Sequence, residues 1–248
     1  MKVQYFADVN DYRKFALLRL LAKEGALKIG VCWMLTEPDG RTDGNSRRYR
    51  ERPELWRGFD SKPFDALKTV RSPPALSDLQ RIEKEDVIPG AAFFEDPTPD
   101  AVTERTKFHH DCMAKLAMAE LVFFDPDNGL EIASCPKGRK GSSKFVFCDE
   151  ISDHYARGQS VVVYQHFPRE PRPAILARVS GAIHAVLPCS QIWSFETAHV
   201  VFMLAAQPTH AARVEAAARV ANQHWLPKFF KVVQRHEQPL GDEPDRAT

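Results

Sequence analysis

Apolar residues along this chain recur at helical spacing in some stretches and as short continuous runs in others. Over Asp11–Lys23, Phe15, Leu18 and Leu21/Ala22 share one face and Gly25 stops the pattern, which predicts a helix. The run Leu27–Leu35 (LKIGVCWML) is apolar throughout and of strand length, as in a strand covered on both faces. It leads into the polar loop TEPDGRTDG. Further on, a short helix is expected over Ser77–Asp86, a strand over Ile88–Phe94, and a helix over Thr103–Ala119, where Phe108, Cys112, Leu116 and Ala119 repeat at spacings of four and three. The strand Leu121–Phe124, a helix over Phe145–Ala156 and the strand Ser160–Tyr164 (SVVVY) follow. A helix over Ala174–Val186, strands at Gln191–Phe195 and His199–Ala205, and an Ala-rich helix over Ala211–Gln223 complete the order.

Strands alternating with helices predict an α/β fold: a Rossmann-like, mostly parallel sheet with a C-terminal antiparallel strand and helices on both faces. The last two strands are too close in sequence for a crossover helix, so they should pair as an antiparallel hairpin. Asn45–Pro74, rich in arginine, aromatics and proline, interrupts the alternation and reads as an insertion or lid, with a short helical stretch at Phe64–Val70. One domain is expected over residues 1–238, and 239–248 has the polar, Pro-bearing composition of a disordered tail.

Composition changes this picture little. At 248 residues and 44% hydrophobic, the chain has material for one sizeable core. Its 34 Lys and Arg against 33 Asp and Glu give a formal net charge of +1, so nucleic-acid binding has to be local. The start MKVQYFADVNDYRKF lacks an apolar targeting segment and no stretch is long and apolar enough for a membrane span, so a cytoplasmic location is expected. Cys32, Cys112, Cys135, Cys148 and Cys189 are odd in number and scattered, a pattern of reduced thiols.

Chemistry concentrates at VFFDPDNGLE. An apolar strand delivers Asp125 into a turn of Pro126, Asp127, Asn128 and Gly129, and Glu131 follows. Three carboxylates within seven positions, just beyond a buried strand, mark a candidate site in a fold whose ligands lie at the carboxyl ends of strands. SVVVYQHFPRE likewise ends in Tyr164, Gln165 and His166 on the same edge, with His166 a candidate acid or base. Two local basic loops carry Arg47, Arg48 and Arg50, interleaved with Tyr49 and Trp56, and Lys140 and Lys144; these are candidate contacts to RNA or DNA.

Taken in order, FADVNDYRKFALLRLLA, LKIGVCWMLTEPDG, LVFFDPDNG, SVVVYQHFPR and IWSFETAHVVFMLAAQP make most of the chain resemble the class I SAM-dependent methyltransferase fold. Within it, the chain looks like the bacterial large-subunit ribosomal RNA adenine methyltransferases. Those begin with such a helix, follow it with the SAM-binding strand and loop, carry a strand ending in an Asp-Pro-Pro-Tyr-like motif, and finish with an antiparallel pair. The resemblance implies a nucleic-acid-modifying enzyme with SAM as cofactor, Asp125 facing the methyl-accepting nitrogen, and Thr36, Glu37, Asp39 and Gly40 near the cofactor. This sequence has Asp127-Asn128 where the family has Pro-Tyr, and TEPDGRTDG where the family has a Gly-rich loop.

Two other readings start from the same residues. Asp125, Asp127 and Glu131, with Lys140 or Lys144 nearby, could hold Mg²⁺ or Mn²⁺ for phosphodiester hydrolysis, and PDNGLE is similar to part of the PD-(D/E)XK nuclease motif. The third is a non-catalytic RNA- or protein-binding module on a methyltransferase-like scaffold.

Overall fold

The computed structural model describes residues 1–38, 40, 46–188 and 190–235. In chain order the strands are Ile29–Cys32 (β1), Ala92–Phe94 (β2), Leu121–Phe124 (β3), Gly129–Leu130 (β4), Phe145–Val146 (β5), Ser160–His166 (β6), Gln191–Glu196 (β7), Val200–Ala206 (β8) and Lys231–Arg235 (β9). The helices are Val9–Lys23 (α1), Pro53–Trp56 (α2), Ser61–Lys68 (α3), Leu76–Lys84 (α4), Val102–Lys115 (α5), Cys148–Ala156 (α6), Arg172–Val186 (α7) and Ala211–His224 (α8).

Seven strands form one sheet in the order β2-β1-β3-β6-β8-β7-β9, with the first four parallel. The expected hairpin is present, but β8 lies between β6 and β7 and is antiparallel to both. The sequence reading has no strand at β9, which pairs antiparallel with β7. Its only apolar pair, Val232-Val233, is too short to register as a strand, and the free edge of β7 supplies the partner that makes it one.

The unbroken apolar character of the middle strands follows from burial on two sides. Leu121 and Phe123 of β3 join one core with α1 residues such as Phe15 and Leu18, whereas Val122 and Phe124 join a second with Phe108, Ile151 and Val179 from α5, α6 and α7. The alternation of side chains along a strand sends successive residues to opposite faces. Residues of the expected insertion belong to the first core: Tyr49, Phe64 and Leu67 are buried, and Tyr12 of α1 stacks on Tyr49 with ring centroids 5.4 Å apart. Among the described residues, no helix is long and apolar enough to cross a membrane.

Candidate functional site at the carboxyl edge

From β1 the chain moves to β2 on one side and then returns to β3 on the other, so the carboxyl ends of β1 and β3 flank the switch point of the sheet. Open α/β sheets form their ligand crevice at such a point. The acidic turn starts here, with the Asp125 amide donating to the Cys32 carbonyl at 3.1 Å. Its far end is tied down from both sides: the Asn128 amide donates to the Lys144 carbonyl at 2.9 Å, and the Asn128 carbonyl accepts from the His166 amide at 3.2 Å.

Gln165 completes this clamp. Its Nε2 donates to the Asn128 carbonyl at 3.0 Å and its Oε1 accepts from the Leu130 amide at 3.0 Å. Gly129 between them has φ of +132°, and a Cβ there would lie 2.1 Å from Gln165 Oε1, so only glycine allows the approach.

The N-terminal end of α1 packs over the turn. Asp8 caps the helix, its Oδ1 accepting from the Asn10 and Asp11 amides at 2.7 and 2.9 Å. One turn on, the Lys14 ammonium is held between Asp11 Oδ1 at 2.7 Å and Asp125 Oδ2 at 2.6 Å, and all three side chains are buried. The rings of Trp33, Phe123 and Tyr164 surround it, 5.5, 6.0 and 5.1 Å from Nζ to centroid. Burial alone would lower the Lys14 pKa, but the Asp11 and Asp125 charges win and raise it, so the ammonium stays charged. Asp125 is raised above the ordinary carboxylate range because its burial outweighs the opposing Lys14 charge.

A second positive group lies where β1 and β3 end. The α-ammonium of Met1 donates to the carbonyls of Trp33, Met34 and Asp125 at 3.2, 2.6 and 2.9 Å and is 3.3 Å from Asp127 Oδ1. Met34 takes φ of +47°, an uncommon conformation for a non-glycine residue, at the strand end whose carbonyls the ammonium uses. Asp127 also accepts from Thr36 Oγ1 at 2.5 Å and pairs with Lys2 at 3.5 Å. Burial pushes the Asp127 pKa up, yet the ammonium and these partners together bring it below its ordinary value.

Between α1, the turn and the end of β6 lies a cleft of about 450 Å³, bordered by Asp8, Lys14, Asp125, Asn128, Tyr164 and His166 among others. His166 is exposed into this cleft. The protein walls around it, and next the Lys14 charge, lower its pKa to about 4, so the ring is neutral at pH 7. Asp8 goes the other way, pushed up to about 7 by burial and then by the neighbouring Asp11.

Comparison with known proteins finds no family model and no curated protein that matches this chain. What the site does therefore rests on its geometry and on the fold.

That geometry gathers some of the expected site residues and separates others. Asp125, Asp127, Asn128 and His166 border the one cleft. Glu131 does not join them: its Oε1 accepts from the Cys148 amide at 2.8 Å, because the short parallel pair of β4 and β5 carries the chain away from the turn. The set Asp125, Asp127 and Glu131 is thus not brought together, and among the described residues no three His, Cys, Asp or Glu side chains are arranged to hold a metal ion. Of the expected cofactor residues, Thr36 bonds to Asp127, Glu37 and Gly40 are exposed, and Asp39 lies outside the described residues.

The basic loops divide in a similar way. Arg47 is buried and donates to the carbonyls of Phe6 and Gln4 at 3.1 and 2.9 Å, and Arg50 donates to those of Leu67 and Val70 at 3.1 and 2.9 Å. Both hold the 46–70 segment in place instead of offering their charge to a partner. Arg48 and Lys140 are exposed, and Lys144 is half-buried beside the turn that its carbonyl anchors.

The residues that sequence reasoning missed are Asp8, Asp11 and Lys14. They recur every three positions in FADVNDYRKF, along one flank of a helix expected to be apolar on its buried side. A charged stripe on a helix is ordinarily its solvated face. Only the position of α1 over the ends of β3 and β6 turns this stripe inward.

Proposed function

We propose that this chain is a nucleic-acid-modifying enzyme on a methyltransferase-like fold, transferring a methyl group from SAM to an acceptor in the acidic cleft. The observation that carries this reading is the set of acceptors at the switch point: the carbonyls of Trp33, Met34 and Asp125, with the Asp127 carboxylate, surround a primary ammonium and adjoin the cleft. The α-ammonium of SAM's methionine portion carries the same charge and donors as the Met1 ammonium that this structure seats there. These residues fit that end of the cofactor, which on this reading takes the place of residues 1–2. When bound, SAM supplies the activated methyl group. The strand order adds support, since an antiparallel strand inserted next to the last parallel one agrees with the closing pair of the resembled family.

The chain's own residues would do the rest. Lys14 keeps Asp125 in place and compensates its charge, Gln165 fixes the turn against β6, and the exposed Arg48 and Lys140 are available for backbone phosphates. The metal-dependent hydrolase reading loses its geometric basis with Glu131 turned to Cys148.

Thermal unfolding and calorimetry with SAM and its demethylated product test the proposal, because a ligand specific to the folded state raises its apparent stability. A concentration-dependent rise with SAM is expected, together with methyl transfer to RNA or DNA that Asp125→Asn abolishes. Absence of any shift or heat at millimolar SAM sinks it.

A further inference from the structure

The second core encloses an imidazole with one nitrogen left unbonded. His154 of α6 is buried, its ring edge-on to Phe124 of β3 with centroids 5.2 Å apart and to His109 of α5 with centroids 5.7 Å apart. Its Nδ1 lies 2.6 Å from Gln159 Oε1. The Gln159 Nε2 already donates to the carbonyls of Leu116 and Ala119 at 2.8 and 2.9 Å, which fixes the oxygen as the end that faces the ring. Nδ1 therefore carries the hydrogen, and Nε2 is a bare lone pair. This Nε2 is buried and has no hydrogen-bond partner. A proton added there would be a buried charge with no acceptor, a state that folding disfavours strongly.

The charged groups that face the ring come from α5 and from α6 with the turn that follows it. Asp153 Oδ2 is 2.9 Å from His109 Nε2, and its side chain is more than half exposed, so this carboxylate serves His109 at the surface and not the buried ring. Arg157 adds a positive charge just beyond α6. Burial first, then His109 and Arg157, lower the His154 pKa from 6.5 to about 4, against the raising influence of the Gln159 bond and Asp153. The unfolded chain thus takes up a proton that the folded chain excludes. The stability contributed by the neutral ring is fully present above about pH 6.5 and is lost as the pH falls through 4.

We propose that the His109–His154 contact is an acid-sensitive latch: a proton taken up from solvent at His154 Nε2 parts α5 from α6 and frees Phe124, the residue that leads β3 into the acidic turn. The latch lies beneath the turn, on the opposite face of the sheet from α1, and does not depend on what the cleft binds.

Urea unfolding of the full chain at pH 7.5 and 4.5 tests the latch. Between these values the folding equilibrium constant of the wild type should fall at least about tenfold more than that of His154→Asn, which retains a side-chain N–H group but removes the basic nitrogen. Amide hydrogen exchange on the wild type locates the opening. At pH 4.5, protection corrected for the intrinsic pH dependence of exchange should drop over α5, α6 and β3 before it drops over α8. Equal pH sensitivity of the two proteins overturns the proposal, as does a loss of protection spread evenly over the sheet and α8. If His154→Asn does not fold, the imidazole resonances of the wild type decide in NMR titration. His154 should then gain its proton only as protection of α5 and α6 is lost; protonation near the ordinary pH of about 6.5, with that protection intact, overturns the latch.

Discussion

Lys14 shows how much one side chain can hold together when its surroundings are dry. Its ammonium is shared by Asp11 and Asp125, which come from different elements, and three aromatic rings pack around it. Removing one partner from a buried ion pair leaves an uncompensated charge, and this costs about 3–5 kcal/mol. Lys14→Met should therefore lose stability on that scale in urea unfolding at pH 7. With the lysine gone, protonation relieves the stranded carboxylates, so the deficit should shrink as the pH is lowered towards 5. An equal deficit at both pH values would mean that Lys14 acts through packing alone.

Among the elements, α1 is the one whose N-cap also borders the cleft. Asp8 caps the helix, and replacing such a cap by alanine typically costs about 1 kcal/mol. Asp8→Ala should show this loss. Asp8→Asn should keep the cap while removing the titration. Folding raises the Asp8 pKa from 3.8 to about 7, so between these values the folded chain holds a proton that the unfolded chain has released. That group's contribution is fully present below about pH 4 and is lost as pH rises through 7. Measured against the wild type, Asp8→Asn should then gain relative stability on going from pH 4 to pH 7.5. A pH-independent difference between the two would show that the carboxyl does not titrate in this window.

On the scale of the molecule, β9 closes the antiparallel side of the sheet. It covers the edge of β7, and an uncovered strand edge is a template for pairing with another chain. A chain ending at Phe230 should keep the helix content of α1 to α8 but lose stability and self-associate, with larger species in size-exclusion chromatography. A monomer of unchanged stability would show that β9 is dispensable.

The alternation of apolar strands with amphipathic helices, the carboxyl-edge location of the DPDNG turn and the β7–β8 hairpin were all legible in the sequence, because side-chain periodicity and connection length are local properties. The placement of β8 between β6 and β7, and the strand character of β9, depended on which sheet edge was free. The same is true of the site. Asp125 and Asp127 could be picked out from their strand, but Glu131 left the group when β4 paired with β5. Asp8, Asp11 and Lys14 lie more than 100 positions away in sequence and reach the turn only because α1 crosses the ends of β3 and β6. Sequence alone determined where a carboxylate stands at a strand end; tertiary structure decided which charge it meets, since Lys14 and Asp125, 111 positions apart, come within 2.6 Å only where the fold lays α1 against the end of β3.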